Sequence, residues 1–424
     1  VADAGPGAVE RLLAGASAPA ATPHAAAGGG LDQPVLLADG GYRGLRHALA
    51  HRTPAELLDA VRDADLRGRG GAGFPAGSKW AFVAGATSPD GAKVIVVNGD
   101  EGDPGSYIDK HLMERNPALL IEGMALAAFA VGAQRGFVFV RSEYPDSLPA
   151  LQAAVHDARA QGLLGEDILG SGLTFDVQVH EGAGSYVVGE ETALLASLQG
   201  LRGVVSARPP FPAERGWHGR PTLVHNVETL CNVPFIAEHG AGAYRALSPR
   251  GTPGTKLVCL NERFATPGLF EVPFGTSLRT ICEELGGGLK DGHTIKALQI
   301  GGPLGGILPA ALLDTPLDFA PLAEHGCMVG HGSIVAFDET TDMRALARHL
   351  MKFGADESCG KCFPCRVGLR RGEELMDRPG PVDRAKLEAL LETLELGSLC
   401  AHGGGMPAPI RSLIAHFPDE LEVV

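Results

Sequence analysis

Cys359, Cys362 and Cys365 stand at two-residue gaps in ESCGKCFPCRVG, and Cys400 follows in GSLCAHGG after 34 intervening residues. This pattern restricts the fold more than any other feature of the chain. Two-residue gaps put three sulfurs on one tight turn at a helix start, and the intervening segment must carry the fourth back to them. Four thiolates are the ligand set of a cubane iron–sulfur cluster. A four-cysteine zinc site has the same ligand count but favours two CxxC pairs, which three-plus-one spacing is unlike. Lys361 and Arg366 can offset the negative charge of a cluster, and His402 reads as a local hydrogen-bonding residue rather than a ligand. The spacing suits a metal or cluster in a reducing compartment better than a disulfide framework, so a cytoplasmic location is expected. The other cysteines, Cys231, Cys259, Cys282 and Cys327, are scattered and read as single thiols.

At 424 residues the chain exceeds the length at which one core keeps growing, so two to four packed units are expected. A net charge of -14 disfavours nucleic-acid binding, which needs basic surface to neutralise phosphates. No window reaches the ~18 consecutive apolar residues of a membrane helix. The longest, Met124 to Ala133, is interrupted by Gln134 and Arg135. Direct membrane insertion is therefore not expected, nor is a cleavable leader; any membrane link would run through partner subunits.

Residues 1–39, rich in Ala, Gly and Pro, read as an N-terminal arm, mobile or extended, that could lie on a partner. Residues 40–247 begin with two short helices, the second with Thr53 as N-cap, Pro54 in the first helical position and Glu56 in the first turn. AKVIVVNGDE, a helix from Pro117 to Ala133 and GFVFVRSE then give a strand, helix, strand order. A helix from Ser147 to Gln161 and the strand TFDVQVHEG extend it, predicting a parallel sheet. Residues 248–338 carry short strands in TKLVCLNE, GLFEVPFGTSL, TIKALQIGG and SIVAFDE, with a helix from Ser277 to Leu285, and read as a small β-rich domain. Residues 339–424 return to helical periodicity, predicting a bundle that holds the four cysteines.

Glycine accounts for 59 residues, roughly twice the usual share, and it concentrates in chemically suggestive places. GRGGAGFPAGSK, from Gly68 to Lys79, has five glycines and a lysine; such a backbone can approach a phosphate with its NH groups pointing inward. It lacks the Gly-Lys-Ser/Thr ending of a Walker A loop, and a plain flexible loop is the alternative. VVNGDEGDPGSY gathers Asn98, Asp100, Glu101 and Asp103 past a strand's carboxyl end, where open α/β sheets bind ligands; a solvated acidic loop capping the next helix is the alternative. HEGAGSYVVGEETALL places Tyr186, Gly189, Glu190 and Glu191 at another strand end, where first-turn glutamates are also ordinary dipole partners.

Together, GRGGAGFPAGSKW, NGDEGDPG, GEETAL and HNVETL, in that order, resemble the flavoprotein subunit of respiratory complex I and its relatives in soluble NAD-dependent formate dehydrogenases and NAD-linked hydrogenases. The resemblance covers about residues 40 to 415. It implies FMN held by the loop Gly68, Arg69, Gly70, Gly71 and Lys79, with Asn98, Asp100 and Glu101 on the flavin and its ribityl chain. It implies Phe74, Phe82 and Phe211 stacking on the NADH adenine, and Tyr186, Gly189, Glu190, Glu191 and Asp103 lining the dinucleotide side; core packing is the alternative for Phe82. It also implies a 4Fe-4S cluster on the four cysteines. Two positions depart from the family pattern: His225 precedes Asn226 where the family usually has Asn-Asn, and Asp103 stands where Glu is frequent. His225 is a candidate flavin contact or a packed, satisfied histidine. The segment Ile300 to Gly306 resembles a ligand-binding β-grasp insertion and reads as a spacer between the flavin and cluster domains.

The fold class expected is thus α/β: a Rossmann-like parallel sheet with a glycine-rich flavin loop, a small β-grasp-like domain and a C-terminal helical bundle. The function expected is NADH oxidation, or NAD+ reduction, by an oxidoreductase subunit that exchanges electrons with FMN and a 4Fe-4S cluster. The implied partners are a small thioredoxin-like 2Fe-2S subunit and a larger iron–sulfur or catalytic subunit. DEGDPG leans the parent complex toward a soluble formate dehydrogenase or hydrogenase, with respiratory complex I, or a flavin-free iron–sulfur relay or assembly subunit, as the alternatives.

Overall fold

The computed structural model describes residues 35–37 and 41–424. The N-terminal arm expected over 1–39 lies, apart from residues 35–37, outside the described residues. Backbone NH groups of Val35, Leu36 and Leu37 donate to the Glu271 carboxylate at 3.0 to 3.3 Å.

Two helices, α1 (Arg43–His51) and α2 (Pro54–Asp63), lead into α3 (Ala76–Gly85). The start of α2 is a capping box: Thr53 Oγ1 accepts from the Glu56 NH, and the Glu56 carboxylate accepts from the Thr53 NH at 2.7 Å. Next come β1 (Val94–Gly99), α4 (Ile108–Arg115), α5 (Pro117–Val131), β2 (Arg135–Val140), α6 (Ser147–Ala160), β3 (Asp176–Glu181), α7 (Glu191–Leu198) and β4 (Thr222–Asn226). The four strands form a wholly parallel sheet in the order β3-β2-β1-β4.

Side chains alternate across this sheet and feed two cores. Ile95, Val97, Val138, Val140 and Leu223 pack with α5 on one face, whereas Val94, Val96, Phe137, Phe139 and Val224 pack with Val187, Val188 and α7 on the other. Burial on both faces is why the strands read as continuous β-branched runs. The second core also packs against Cys359 and Cys400. Three of these strands match the sequence patterns; β4 does not figure among them. It has five residues and runs directly into helix α8 (Val227–Cys231), too short a stretch for alternation to register.

After α9 (Val233–Ala246), strands β5 (Thr255–Leu260), β6 (Gly268–Pro273), β7 (Ile295–Ile300), β8 (Ile307–Pro309) and β9 (Ser333–Asp338) make a second, mixed sheet in the order β6-β5-β9-β7-β8. The helix expected from Ser277 to Leu285 is present, but its Thr280–Leu285 part is wound as a π-helix. Helices α10 (Met343–Asp356), α11 (Phe363–Asp377), α12 (Arg384–Gly397), α13 (Ala401–Gly405) and α14 (Pro407–His416) follow and share their own core of Leu346, Leu350, Leu369, Leu391, Leu394 and Leu413. Among the described residues, no helix is long and apolar enough to cross a membrane.

Candidate cofactor sites

In an open parallel sheet, ligands settle outside the carboxyl ends of strands where the strand order reverses. The chain steps outward from β1 to β2 to β3, then returns to lay β4 on the other side of β1. The reversal therefore lies between β1 and β4, and the residues paired at its carboxyl end are Asn98 and Asn226. The glycine loop lies against this point. A Cβ added to Gly70 would sit 2.9 Å from the Asn226 Cβ, an approach that a side chain would prevent.

The loop closes on itself through Gly68 NH to Phe74 C=O at 2.9 Å and Ala76 NH to Leu66 C=O at 2.8 Å. Arg69 anchors it from behind: its NH donates to Thr229 Oγ1 and its Nη2 to the Tyr244 hydroxyl, both at 2.9 Å. Its guanidinium lies 4.5 Å from the centre of the Phe274 ring. With the Arg69 side chain buried, this part of the loop presents backbone. Gly71 bridges to Gly330 just before β9.

Lys79, on α3, donates to Val224 C=O at 3.0 Å and pairs with Glu191 at 3.2 Å. Glu191 also accepts from Arg208 at 2.8 Å, so it stands between two cations. Its neighbour Glu190 caps α7 through the NH groups of Thr192 and Ala193. The capping alternative thus accounts for the Glu190 side chain, while Glu191 is turned toward the loop lysine. Phe74, Phe82 and Phe211 are 49%, 59% and 50% exposed, which removes core packing as the account of Phe82. The Arg208 guanidinium lies 5.8 Å from the Phe211 ring centre.

Past β1, Asn98 donates to Gly189 C=O at 2.7 Å, joining the acidic loop to the Tyr186–Gly189 turn. Asp100 is buried, and its Oδ2 has no hydrogen-bond partner. Burial raises its carboxyl to about 7, against the opposing effect of Arg141 and with help from Glu143 and Glu357. An orphaned buried acceptor is destabilising unless a ligand supplies the donor. Glu101 is used differently: it accepts from Ser106, from the NH groups of Ile108, Asp109 and Lys110 at the start of α4, and from the Tyr144 hydroxyl.

Tyr186 links the two candidate sites. Its hydroxyl donates to Asp103 at 2.9 Å, its NH donates to Glu357, and its ring lies 5.5 Å from that of His402. The loop from Ile300 to Gly306 packs into the same junction. A Cβ on Gly302 would fall 2.3 Å from the Asp103 carboxyl carbon, and Leu304 lies against Gly405. His225 accepts from the Trp80 indole NH at 2.9 Å and is buried; burial and Lys79 hold it well below the usual imidazole range. It is therefore a neutral, hydrogen-bonded histidine behind the sheet end, while Asn226 faces the loop.

Cys362 is the N-cap of α11 and Cys400 the N-cap of α13, so each stands at a helix N-terminus, whose dipole favours anions. Cys365 is raised to about 12 by burial and by the nearby Cys362, Cys400 and Cys359, against a hydrogen bond from Ser358. The donor set is wholly thiol and suits iron–sulfur ligation. His402 Nε2 donates to Gly354 C=O at 2.8 Å and serves packing.

Sequence reasoning missed one cluster. His331 lies between Glu101 and Asp109, 3.2 and 2.8 Å away, beside the buried Lys256–Glu228 pair. Glu101 and Asp109 share one segment, but His331 lies 222 positions beyond Asp109, and no local pattern could have joined it to them.

Residues 61–235 match a family profile described as the Nuo51 FMN-binding domain, and residues 345–423 match the NADH-ubiquinone oxidoreductase-F iron-sulfur binding region. The chain is 43% identical over 387 residues to the NADP-reducing hydrogenase subunit HndC of Solidesulfovibrio fructosivorans, covering 90% of this chain and 78% of that one. It is also 43% identical over 405 residues to an NADH-quinone oxidoreductase subunit of Escherichia coli, covering 92% and 90% respectively. An NAD+-reducing [NiFe]-hydrogenase in the H2-reduced state superposes with a TM-score of 0.82 at 38% identity, over 92% of this chain; the match spans 66% of the hydrogenase chain, just under two thirds.

Proposed function

This chain belongs to the family of FMN-binding, iron–sulfur NADH dehydrogenase subunits to which the matching NADH-quinone oxidoreductase chains belong, and on that premise we propose how its residues carry the activity. It is the NADH dehydrogenase module of a multi-subunit oxidoreductase, with FMN, NAD(H) and a 4Fe-4S cluster as cofactors. When bound, FMN would supply a hydride acceptor for NADH and the cluster a one-electron acceptor, chemistry that belongs to the cofactors.

The protein's part is orientation. One observation carries the assignment of the flavin site: at the reversal between β1 and β4, the glycine backbone lies against Asn226, Lys79 reaches Val224 C=O on β4, and the orphaned Asp100 Oδ2 directly follows β1. In this reading the loop NH groups and Lys79 hold the phosphate, Asp100 accepts a ribityl hydroxyl, and Asn98 and Asn226 line the flavin. Phe74, Phe82 and Phe211 offer ring faces to the adenine. Glu191 and Asp103 favour NAD(H) because carboxylates accept from ribose hydroxyls and repel a 2′-phosphate. Family membership alone leaves that preference open, since one relative is named for NADP reduction. Cys359, Cys362, Cys365 and Cys400 hold the cluster, joined to the dinucleotide side through Tyr186.

The domain division at 39/40, 247/248 and 338/339 accompanies this reading, with the second sheet as the spacer between sites. The parent assembly is a soluble, cytoplasmic formate dehydrogenase or hydrogenase, with a small thioredoxin-like 2Fe-2S partner and a larger iron–sulfur or catalytic subunit. The likeness to an NAD+-reducing hydrogenase supports the hydrogenase arm of this reading; the equal identity of the NADH-quinone oxidoreductase relatives supports respiratory complex I as the second reading. An anaerobic visible spectrum of the purified chain before and after NADH tests the core assignment. Bleaching of flavin absorbance, with FMN released on denaturation, is expected; iron without flavin, or flavin that NADH leaves unbleached, rejects it.

A further inference from the structure

His331 is buried just before β9, with a carboxylate at each ring nitrogen. Nδ1 lies 3.2 Å from Glu101 Oε1 and 2.8 Å from Ser106 Oγ, and Nε2 lies 2.8 Å from Asp109 Oδ2. Asn226 Nδ2 donates to the same Asp109 oxygen at 2.6 Å, and its 3.2 Å contact with Nε2 is one donor beside another. A ring that meets acceptors on both sides donates from both nitrogens, which only the protonated form can do. Glu101, Asp109 and His331 lie close enough to hold a metal ion. The Glu101 oxygens, however, already accept from Ser106, three backbone NH groups and Tyr144, more donors than a carboxylate's ~4 lone-pair sites, so Nδ1 donates to Ser106 Oγ and meets Glu101 as an ion pair.

The arrangement spans the two sheets. Glu101 follows β1, Asp109 lies on α4 and Asn226 ends β4, whereas His331 directly precedes β9 of the second sheet, where its C=O also accepts from Lys256 at 2.8 Å. Asn226 Oδ1 accepts from the Thr229 NH, so both ends of its amide are committed and its orientation depends on an ionised Asp109. We propose that the His331 imidazolium is a positioning residue of the flavin pocket: clamped between Glu101 and Asp109, it keeps Asp109 ionised, fixes the Asn226 amide and seats the second sheet behind the glycine loop. This rests on reading the edge between Asn98 and Asn226 as the flavin site.

Burial opposes the charge on His331, but Asp109 and Glu101 outweigh it and raise the ring to about 9. The other charged groups around it are Asp103, Lys256 and the Glu228 carboxylate paired with Lys256. The nearby thiols Cys231 and Cys259 are raised well above their usual value by burial and stay neutral. The His331 charge is therefore complete near neutrality and disappears as pH rises through about 9, while its contribution to stability is full below 6.5 and is lost between 6.5 and about 9.

The test measures FMN affinity of the full chain, stripped of flavin and titrated by flavin fluorescence from pH 7 to 10, for the wild type, His331→Gln and Asn226→Ala. At pH 7, His331→Gln is expected to bind FMN at least tenfold more weakly. The wild type is expected to lose affinity near pH 9 in a step that His331→Gln lacks; a merely structural histidine would leave the two pH profiles parallel. Wild-type affinity in His331→Gln, or parallel profiles, overturns the proposal. Should His331→Gln fail to fold, a wild-type profile without a step near pH 9 overturns it equally. Asn226→Ala separates the two layers of the argument. If it weakens FMN binding and His331→Gln does not, the role of His331 fails alone; if Asn226→Ala also binds FMN normally, the placement of the flavin at that edge fails.

Discussion

At the scale of single residues, the site is defined by which carboxylates are already satisfied. Glu190 and Glu101 commit their oxygens to helix starts, whereas Asp100 holds a buried oxygen without a donor. Burial raises Asp100 from 3.8 to about 7, so between those values the folded chain binds a proton that the unfolded chain has released. Flavin-free protein should accordingly lose stability from this group as pH rises from about 4 to about 7, by at most ~4 kcal/mol. Chemical denaturation of Asp100→Asn should show that slope removed and a gain at pH 8; an unchanged slope would reject the assignment. Glu191, held between Lys79 and Arg208, should govern nucleotide choice. In steady-state kinetics, Glu191→Gln is expected to shift the NADH to NADPH ratio of kcat/KM toward NADPH by roughly tenfold, the loss of about 1.4 kcal/mol of discrimination. Equal ratios in both proteins would remove the carboxylate from that role.

At the scale of elements, the second sheet is bound to the first by buried charge as well as by apolar packing. Lys256 on β5 and Glu228 on α8 are fully buried and paired, and Glu228 also accepts from the Leu257 NH at 2.9 Å. Removing one partner leaves the other charge buried and alone, so Lys256→Met should cost about 3–5 kcal/mol in urea denaturation, and the Lys256→Met, Glu228→Gln double variant should recover part of it. A double variant no more stable than the single would show that the pair's surroundings, and not the stranded charge, set the loss. The same level of structure explains what was legible. Strands β1, β2 and β3 are apolar runs long enough to read, and the α2 start carries its cap in sequence. Strand β4 is as important to the site, but its five residues pass at once into α8, and its burial comes from pairing with β1.

At the scale of the whole molecule, the glycine loop and acidic strand end rest on the parallel sheet, whereas the cysteines are held by the helical bundle and touch the sheet's core only through Cys359 and Cys400, with Tyr186, Phe353 and the loop from Ile300 to Gly306 between. Losing the cluster should therefore spare the flavin. Cys400→Ser is expected to lower cluster iron sharply while the protein retains FMN and its NADH-dependent bleaching; electron delivery to a cluster-dependent acceptor should fall by at least tenfold. Loss of flavin together with iron would show that the sites fold as one.

The cysteine spacing, the glycine loop and the acidic strand end are local, because a ligand-binding turn is built from neighbouring residues. Only the folded chain shows which of these side chains are taken up by the frame. Arg69 turns inward to Tyr244, His225 is taken up by Trp80, Glu101 caps α4, and His331 crosses 222 positions to meet Asp109. Such choices depend on burial and on partners distant in the chain, where the cost of an unsatisfied charge or hydrogen bond falls on the fold as a whole.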